Sequence, residues 1–419
     1  MVQIGSLMTI ILKLIRPTLG MMARILLVGL WVGLAFGQDF NVAFVGDILI
    51  HDALQVKAVE MSNIKGDRNG GTHSDQRGDR FFSLFKEMQP VLGRVDLAIG
   101  NLEGPVALGI NPNGKFVGDI GFVYDRNIYS GTNFRFNYHP FVLEDLARVG
   151  FDLLTVANNH SLDRTFVGVD ATIEAFGKSQ LQMVGSIASP YSAHTGEIMD
   201  WVRVVSKNGI RVAFLACSEH INGLPDPHHQ ILKCFADKAL IDFLISKIQQ
   251  ELDTDAIVIL PHWGDEYQQK PNSQQRAMAK HWLEFEGVLA VVGSHPHVLQ
   301  PVEMVTMKDG EKKIMAYSLG NFLAFQSHVE RKTSIVLMLK FSLNSYDKFK
   351  TDVTEKPKNK WRLIQAEALP TYRDGFSVYP YRAEQTFPID ALRLVQTMTS
   401  GISIVNESQA IEFVDSAIK

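Results

Sequence analysis

Residues 256–264 read AIVILPHWG, and residues 288–297 read VLAVVGSHPH. Each opens with five apolar residues and then breaks abruptly into Pro, Gly and His. Runs this short and this rich in Val, Ile and Leu, with no polar alternation, predict strands covered on both faces. The same figure recurs on either side: NVAFV (41–45) stops at Gly46-Asp47, VDLAI (95–99) at Gly100-Asn101, FDLLTV (151–156) at Ala157-Asn158-Asn159-His160, and KIMAY (313–317) at Ser318-Leu319-Gly320-Asn321-Phe322. Helical patterns fill the intervals. Val142, Leu146 and Val149 recur at i, i+4 and i+7 ahead of Gly150, and residues 170–176, 240–252 and 274–285 carry similar faces. Strands alternating with helices predict an α/β layered fold.

Composition narrows the class. The 419 residues are 46% hydrophobic and 21% charged, which argues against a disordered chain, a collagen-like repeat and a polytopic membrane protein. Lys plus Arg number 41 against 45 Asp plus Glu, so the chain lacks the basic footprint that nucleic-acid binding needs. The polar stretches 62–80 and 344–360 read as surface loops, the second followed by a strand-like run at 361–369 and two short helices. These boundaries predict a main domain over residues 38–345 and a C-terminal extension, 346–419, packed on it.

The N-terminus has its own logic. Lys13, Arg16 and Arg24 precede ILLVGLWVGLAFG (25–37), shorter than the ~20 residues that cross a bilayer as a helix. Residues 1–37 therefore read as a secretory signal cut before Gln38, or as an uncleaved anchor. Both place the body of the protein in the periplasm or cell envelope. In that oxidising setting Cys217 and Cys234 are either a disulfide pair or two buried thiols, and spacing does not choose.

The chemistry lies where the apolar runs end, because ligands of α/β sheets gather beyond the carboxyl ends of the strands. Those positions hold Asp47, His51, Glu103, Asn159, His160, His262, His295 and His297. Singly, each has a plainer reading: Gly46-Asp47 as a turn, Asn158-Asn159 as left-handed turn residues, Asp163 as a helix cap, His262 as a satisfied interior histidine. Together they form a mixed N/O donor set suited to Zn, Mn or Fe. In an extended His295-Pro296-His297, residues two apart point the same way, so both rings would face one ion. No G-x-S-x-G elbow and no G-x-x-x-x-G-K-[ST] loop is present, so nucleophilic-serine chemistry and ATP use by this chain are not expected. No cluster of arginines marks a phosphate site.

These motifs, in order from Val45-Gly46-Asp47-x-x-x-His51 through Asn101-Leu102-Glu103, Ala157-Asn158-Asn159-His160-x-x-Asp163, Pro261-His262-Trp263-Gly264-x-Glu266-Tyr267 and Gly293-Ser294-His295-Pro296-His297 to Ser318-Leu319-Gly320-Asn321-Phe322, resemble the CapA family of capsule (poly-γ-glutamate) synthesis proteins. That family in turn resembles calcineurin-like metallophosphoesterases. The resemblance implies a four-layer αββα sandwich with a dinuclear site for two divalent metal ions. It implies metal ligation by Asp47, His51, Glu103, Asn159, His262, His295 and His297, with Glu103 as the bridge in place of a phosphoesterase aspartate. His51 departs from the pattern, standing four residues after Asp47 rather than two. His160 would protonate the leaving oxygen, with Asp163 orienting it. Glu266 and Asn321 would line the cleft and bind substrate, and Trp263 would either join them or pack as an aromatic beside the site. The implied function is an exported metal-dependent hydrolase in the synthesis, export or remodelling of an anionic surface polymer, acting on a phosphoester or on poly-γ-glutamate, beside membrane synthase subunits. A different class fits the same residues: a non-hydrolytic accessory subunit that holds the polymer at the envelope.

Overall fold

The computed structural model describes residues 39–62, 79–191, 198–343 and 361–416. The expected signal segment lies outside the described residues, as do nearly all of the loop at 62–80 and the whole of 344–360. No helix among the described residues is long and apolar enough to cross a membrane.

Among the described residues fifteen strands form two sheets. The first contains β1 (Asp39–Leu49), β2 (Leu97–Leu102), β3 (Leu153–Thr155) and β4 (Gln182–Val184), with β11 (Asn321–Ala324), β12 (Thr333–Leu343), β13 (Trp361–Asp374), β14 (Ser377–Pro380) and β15 (Ser403–Ile404). Its path runs β14-β13-β12-β1-β2-β3-β4, with β11 pairing β1 and β15 pairing β13. The second contains β5 (Val202–Lys207), β6 (Ile210–Ser218), β7 (Ala256–His262), β8 (Val288–Val292), β9 (Val302–Thr306) and β10 (Lys312–Ala316), in the order β5-β6-β7-β8-β10-β9. β13 pairs with β12 along the whole of β12, so the C-terminal segment is built into the first sheet.

The period-two alternation of the strands sorts their side chains into layers. Phe40, Val42 and Phe44 of β1 meet Val212, Phe214 and Ala216 of β6 and Val258 and Leu260 of β7 in a core between the sheets. Ala43 and Val45 face the other way, onto α1 (Asp52–Met61) and α2 (Phe141–Val149) through Leu54, Val142 and Leu146. On the far side Ala213, Leu215 and Ile259 pack on α4 (Lys238–Glu251) and α5 (Ser273–Leu283) through Ile241, Ile245 and Trp282. Between these two pairs of helices in sequence lies α3 (Thr165–Gly177). The result is the four-layer αββα sandwich.

Two strands run further than their punctuation predicts. β1 continues through Gly46-Asp47 to Leu49, and β2 continues through Gly100-Asn101 to Leu102. The reason at Gly46 is close packing: a Cβ there would lie 1.9 Å from the Gly320 carbonyl oxygen. The glycine admits β11 alongside β1, and the register shifts between Asp47 and Ile48. Asp47 thus sits on a bulge inside a paired strand rather than in a turn, and bulges re-aim side chains. Cys217 and Cys234 are joined by a disulfide with Cα atoms 5.0 Å apart.

Candidate metal centre

The carboxyl ends of β1, β2 and β3 in one sheet meet those of β6, β7 and β8 in the other along a single seam. Hydrogen bonds cross it: the His295 backbone N–H donates to Asp47 Oδ2 at 3.2 Å, and His262 Nε2 lies 2.8 Å from Asn159 Oδ1. The seam gathers two groups of candidate ligand atoms, each group lying within 4.8 Å of one another. One is Glu103, His262 and His295, and the other is Asp47, Glu103 and His297. Glu103 belongs to both. Asn159 Oδ1 adds an oxygen to the first group through its contact with His262 Nε2, which is itself 3.1 Å from His295 Nδ1.

Glu103 is the decisive residue. It is fully buried, and neither carboxylate oxygen has a hydrogen-bond partner among the described residues. Such an orphaned acid is costly unless something positive compensates it. Its nearest neighbours are imidazoles, with His262 Nε2 at 3.6 Å and His297 Nε2 at 3.7 Å. Burial pushes its carboxyl well above the usual range, with the His297 charge opposing and Asp47 adding to the rise. The backbone holds it firmly: its N–H donates to the Ile48 carbonyl at 3.0 Å, and Tyr138 Oη donates to its own carbonyl at 2.7 Å.

The imidazoles are prepared differently. Burial holds His262 well below its usual range, and His295 down to about 3, with neighbouring histidines adding to both effects. Both rings are therefore neutral at pH 7, the form that offers a lone pair to a cation. His262 Nδ1 lies 2.9 Å from Ser294 Oγ, the kind of outer partner that selects a ring tautomer. At His297, burial acts downward, but Glu103 and Asp47 outweigh it and push the ring up to about 9.

The His-x-His segment reaches the site by another route than extended geometry. His295 has φ 101° and His297 φ 58°, both in the left-handed region that non-glycine residues seldom occupy. The two rings consequently enter different groups rather than facing one ion.

Other expected residues fall around this centre. His51 lies outside both groups: its Nδ1 is 3.1 Å from the Leu49 carbonyl and accepts from the Phe325 N–H at 3.2 Å. Its ring lines a cavity of about 420 Å3 that opens over the site, and burial holds it down to about 4. His160 lines the same cavity, with Nδ1 2.8 Å from Asp163 Oδ2 and its ring edge-on to Phe136 at 4.8 Å. Glu266 and Tyr267 line the same cavity. Trp263 does not line the cleft. It is adjacent to His262 on the same chain segment, so its side chain takes the opposite face of the sheet. There it stacks on Trp282 at 5.6 Å and donates to the Tyr317 carbonyl. Asn321 is buried and offers no surface to a substrate: its Oδ1 faces His297 Nδ1 at 2.9 Å, and its amide donates to the His297 carbonyl. It orients that ring.

Several contributors escape sequence reasoning. Asn101 Nδ2 donates to Asp47 Oδ1 at 2.8 Å, and its presence inside an apolar strand is the one local signal for it. Asn158 donates to the Leu102 carbonyl and accepts from the His160 N–H, tying two strand ends together. Phe136 and Asn222 reach the site from distant loops, and no local pattern marks them.

Comparison with known proteins agrees with this site-bearing region. The chain is 30% identical over 280 residues to the capsule biosynthesis protein CapA of Bacillus anthracis, covering 65% of this chain and 61% of that protein. It is 28% identical over 268 residues to the PGA biosynthesis protein CapA of Bacillus subtilis (strain 168), covering 64% and 63% respectively. The match thus spans about three-fifths of each relative's length. Among solved structures it is similar to the calcineurin-like phosphoesterase YfkN from Bacillus subtilis, with TM-score 0.41 and 14% identity over 90% of this chain and 99% of that one. It is also similar to the NAD nucleotidase of Haemophilus influenzae, with TM-score 0.41 and 10% identity over 91% of this chain and 60% of that one. Residues 41–326 match the family model described as bacterial capsule synthesis protein PGA_cap, and the chain belongs to that family.

Proposed function

We propose that this protein is an exported, metal-dependent hydrolase that acts on an anionic capsule or surface polymer such as poly-γ-glutamate, with a paired cation site at the seam between its sheets. One observation carries the reading: Glu103, buried and unpartnered at both oxygens, is shared by two groups of histidine and carboxylate donors. The donor chemistry fits a pair of borderline divalent cations, since imidazole, carboxylate and amide oxygens are present and no thiolate is. Glu103, His262, His295 and Asn159 would hold one cation, and Asp47, Glu103 and His297 the other. Bound cations would supply Lewis-acid polarisation at the scissile group and neutralise charge there. His160 would carry the proton to the leaving oxygen, because Asp163 holds its Nδ1 and Phe136 fixes its ring. The disulfide supports an oxidising compartment, in keeping with export directed by the basic and apolar segment before Gln38. Membrane-bound synthase subunits are the natural neighbours of such an enzyme.

Elemental analysis of the protein from Gln38 onward, purified without chelator, tests the centre. About two equivalents of Mn, Fe or Zn, lost in a His295→Ala/His297→Ala double variant, are expected for a paired site. Less than about a tenth of an equivalent after reconstitution would remove the hydrolase mechanism and favour a polymer-holding subunit. With metal present, phosphoesters and γ-glutamyl oligomers are the substrates to screen. Mass spectrometry of the secreted form should begin at Gln38.

A further inference from the structure

The cavity over the metal centre is electrically lopsided. Among the described residues that line it, Arg135 alone is a lysine or arginine, and Glu266 stands among the lining residues as well. Arg135 makes no ion pair and no side-chain hydrogen bond among the described residues, whereas its backbone is pinned on both sides. The Phe136 N–H donates to Asp163 Oδ2 at 2.7 Å, and the Arg135 carbonyl accepts from Arg164 Nη1 at 3.2 Å. Asp163 and Arg164 are both buried. Arg164 spends its guanidinium entirely on backbone carbonyls, those of Ile110, Ile128, Arg135 and Asp163, so it acts as a brace for this wall. The oxygen of Asp163 that orients His160 is thus the one that fixes the peptide next to Arg135.

We infer that Arg135 is a specificity-determining residue that receives a second anionic oxygen group of the substrate, a carboxylate or a phosphate, while a first anionic group sits at the metal centre. This rests on the cation-bearing site proposed above and names the substrate class for it: molecules with at least two acidic groups along one chain. An arginine on the cavity wall whose guanidinium has no carboxylate of its own among the described residues is free to take a planar two-oxygen acceptor. The Glu266 carboxylate repels such a group, which directs it toward Arg135.

The test is equilibrium binding to the full metal-loaded protein, beside the Arg135→Ala and Arg135→Lys variants, with metal content measured on each. Three probes are used: inorganic phosphate with one anionic group, a γ-linked glutamate pentamer, and propane-1,3-diol bisphosphate. Arg135→Ala should keep its metal and bind phosphate within about twofold of wild type. It should bind the pentamer, the bisphosphate, or both about 10- to 100-fold more weakly, the range for losing a charge-assisted hydrogen bond. Arg135→Lys should fall between. Whichever polyanion loses affinity identifies carboxylate or phosphate as the second group. Equal binding of both polyanions by wild type and Arg135→Ala would overturn the inference. So would an equal loss for phosphate and polyanions, which would place Arg135 on the group at the metals. A wild-type protein that retains metal but binds none of the probes would overturn it while leaving the metal centre standing. A protein without metal would instead remove the underlying site.

Discussion

Replacing Glu103 by Gln probes the centre at its shared point. The side chain keeps its shape and loses its charge. In the metal-free protein the change should be small, because burial already favours the neutral acid. The effect should appear when metal is added. A cation that binds only the folded chain stabilises it by about 4.1 kcal/mol at a concentration 1,000 times its dissociation constant, so two sites contribute about 8 kcal/mol. If losing the shared carboxylate weakens each site about 100-fold, each contribution falls to about 1.4 kcal/mol and the sum to about 3 kcal/mol. Asn159→Ala, which touches the first group only, should leave the second contribution in place. The assay is urea unfolding with and without Mn or Zn at fixed free concentration. A Glu103→Gln protein that keeps the whole metal-linked gain would refute the idea that one carboxylate serves both positions, and Asn159→Ala losing as much would refute their separation.

Other expectations are simpler. His160→Ala should keep its metal and lose about 10²- to 10⁴-fold in kcat, the usual size of an acid–base contribution, once a substrate is in hand; unchanged turnover would remove its proton-transfer role. Burial holds His139 down to about 4, and its ring accepts from the Phe141 N–H, so it folds in the neutral form. A lowered folded value means the unfolded chain binds the extra proton: this stability is present above about 6.5 and is lost as pH falls toward 4, to the extent of roughly 3 kcal/mol. Urea unfolding of the metal-free protein should show a slope to which His51, His262 and His295 also contribute, and His139→Gln should lessen it by roughly 3 kcal/mol between those pH values, with no change refuting the reading. Replacing both Cys217 and Cys234 by Ser should cost about 3 kcal/mol, the value for freeing a loop of this length, again read by urea unfolding. A loss under about 0.5 kcal/mol would mean the loop is held by its other contacts.

Much of the centre was legible in the chain because parallel strands are short, apolar and abruptly ended, and their ends are where polar residues collect. Asp47, Glu103, Asn159, His262, His295 and His297 all announce themselves this way. Asn101 was visible as a polar residue in an apolar strand, yet its bond to Asp47 was not. Of the two readings open for Trp263, cleft lining and a packed aromatic beside the site, the structure has the second, because the residue after His262 faces away from it. Asn321 lies inside rather than on the cleft because the pairing of β11 with β1 sets it beside His297, and no local pattern specifies that pairing.

Local periodicity and strand punctuation, which depend on a few neighbouring residues, were enough to determine the layered α/β class and the donor types, while the family rested on the resemblance carried by the ordered motifs. The division of those donors into two groups sharing Glu103 depended on two sheets docking face to face so that their strand ends meet. So did the left-handed backbone at His295 and His297, the burial that leaves Glu103 without a partner, and the placement of Arg135 on the cavity wall. Each of these joins residues tens to hundreds of positions apart, and only the packed core brings such residues within hydrogen-bonding range.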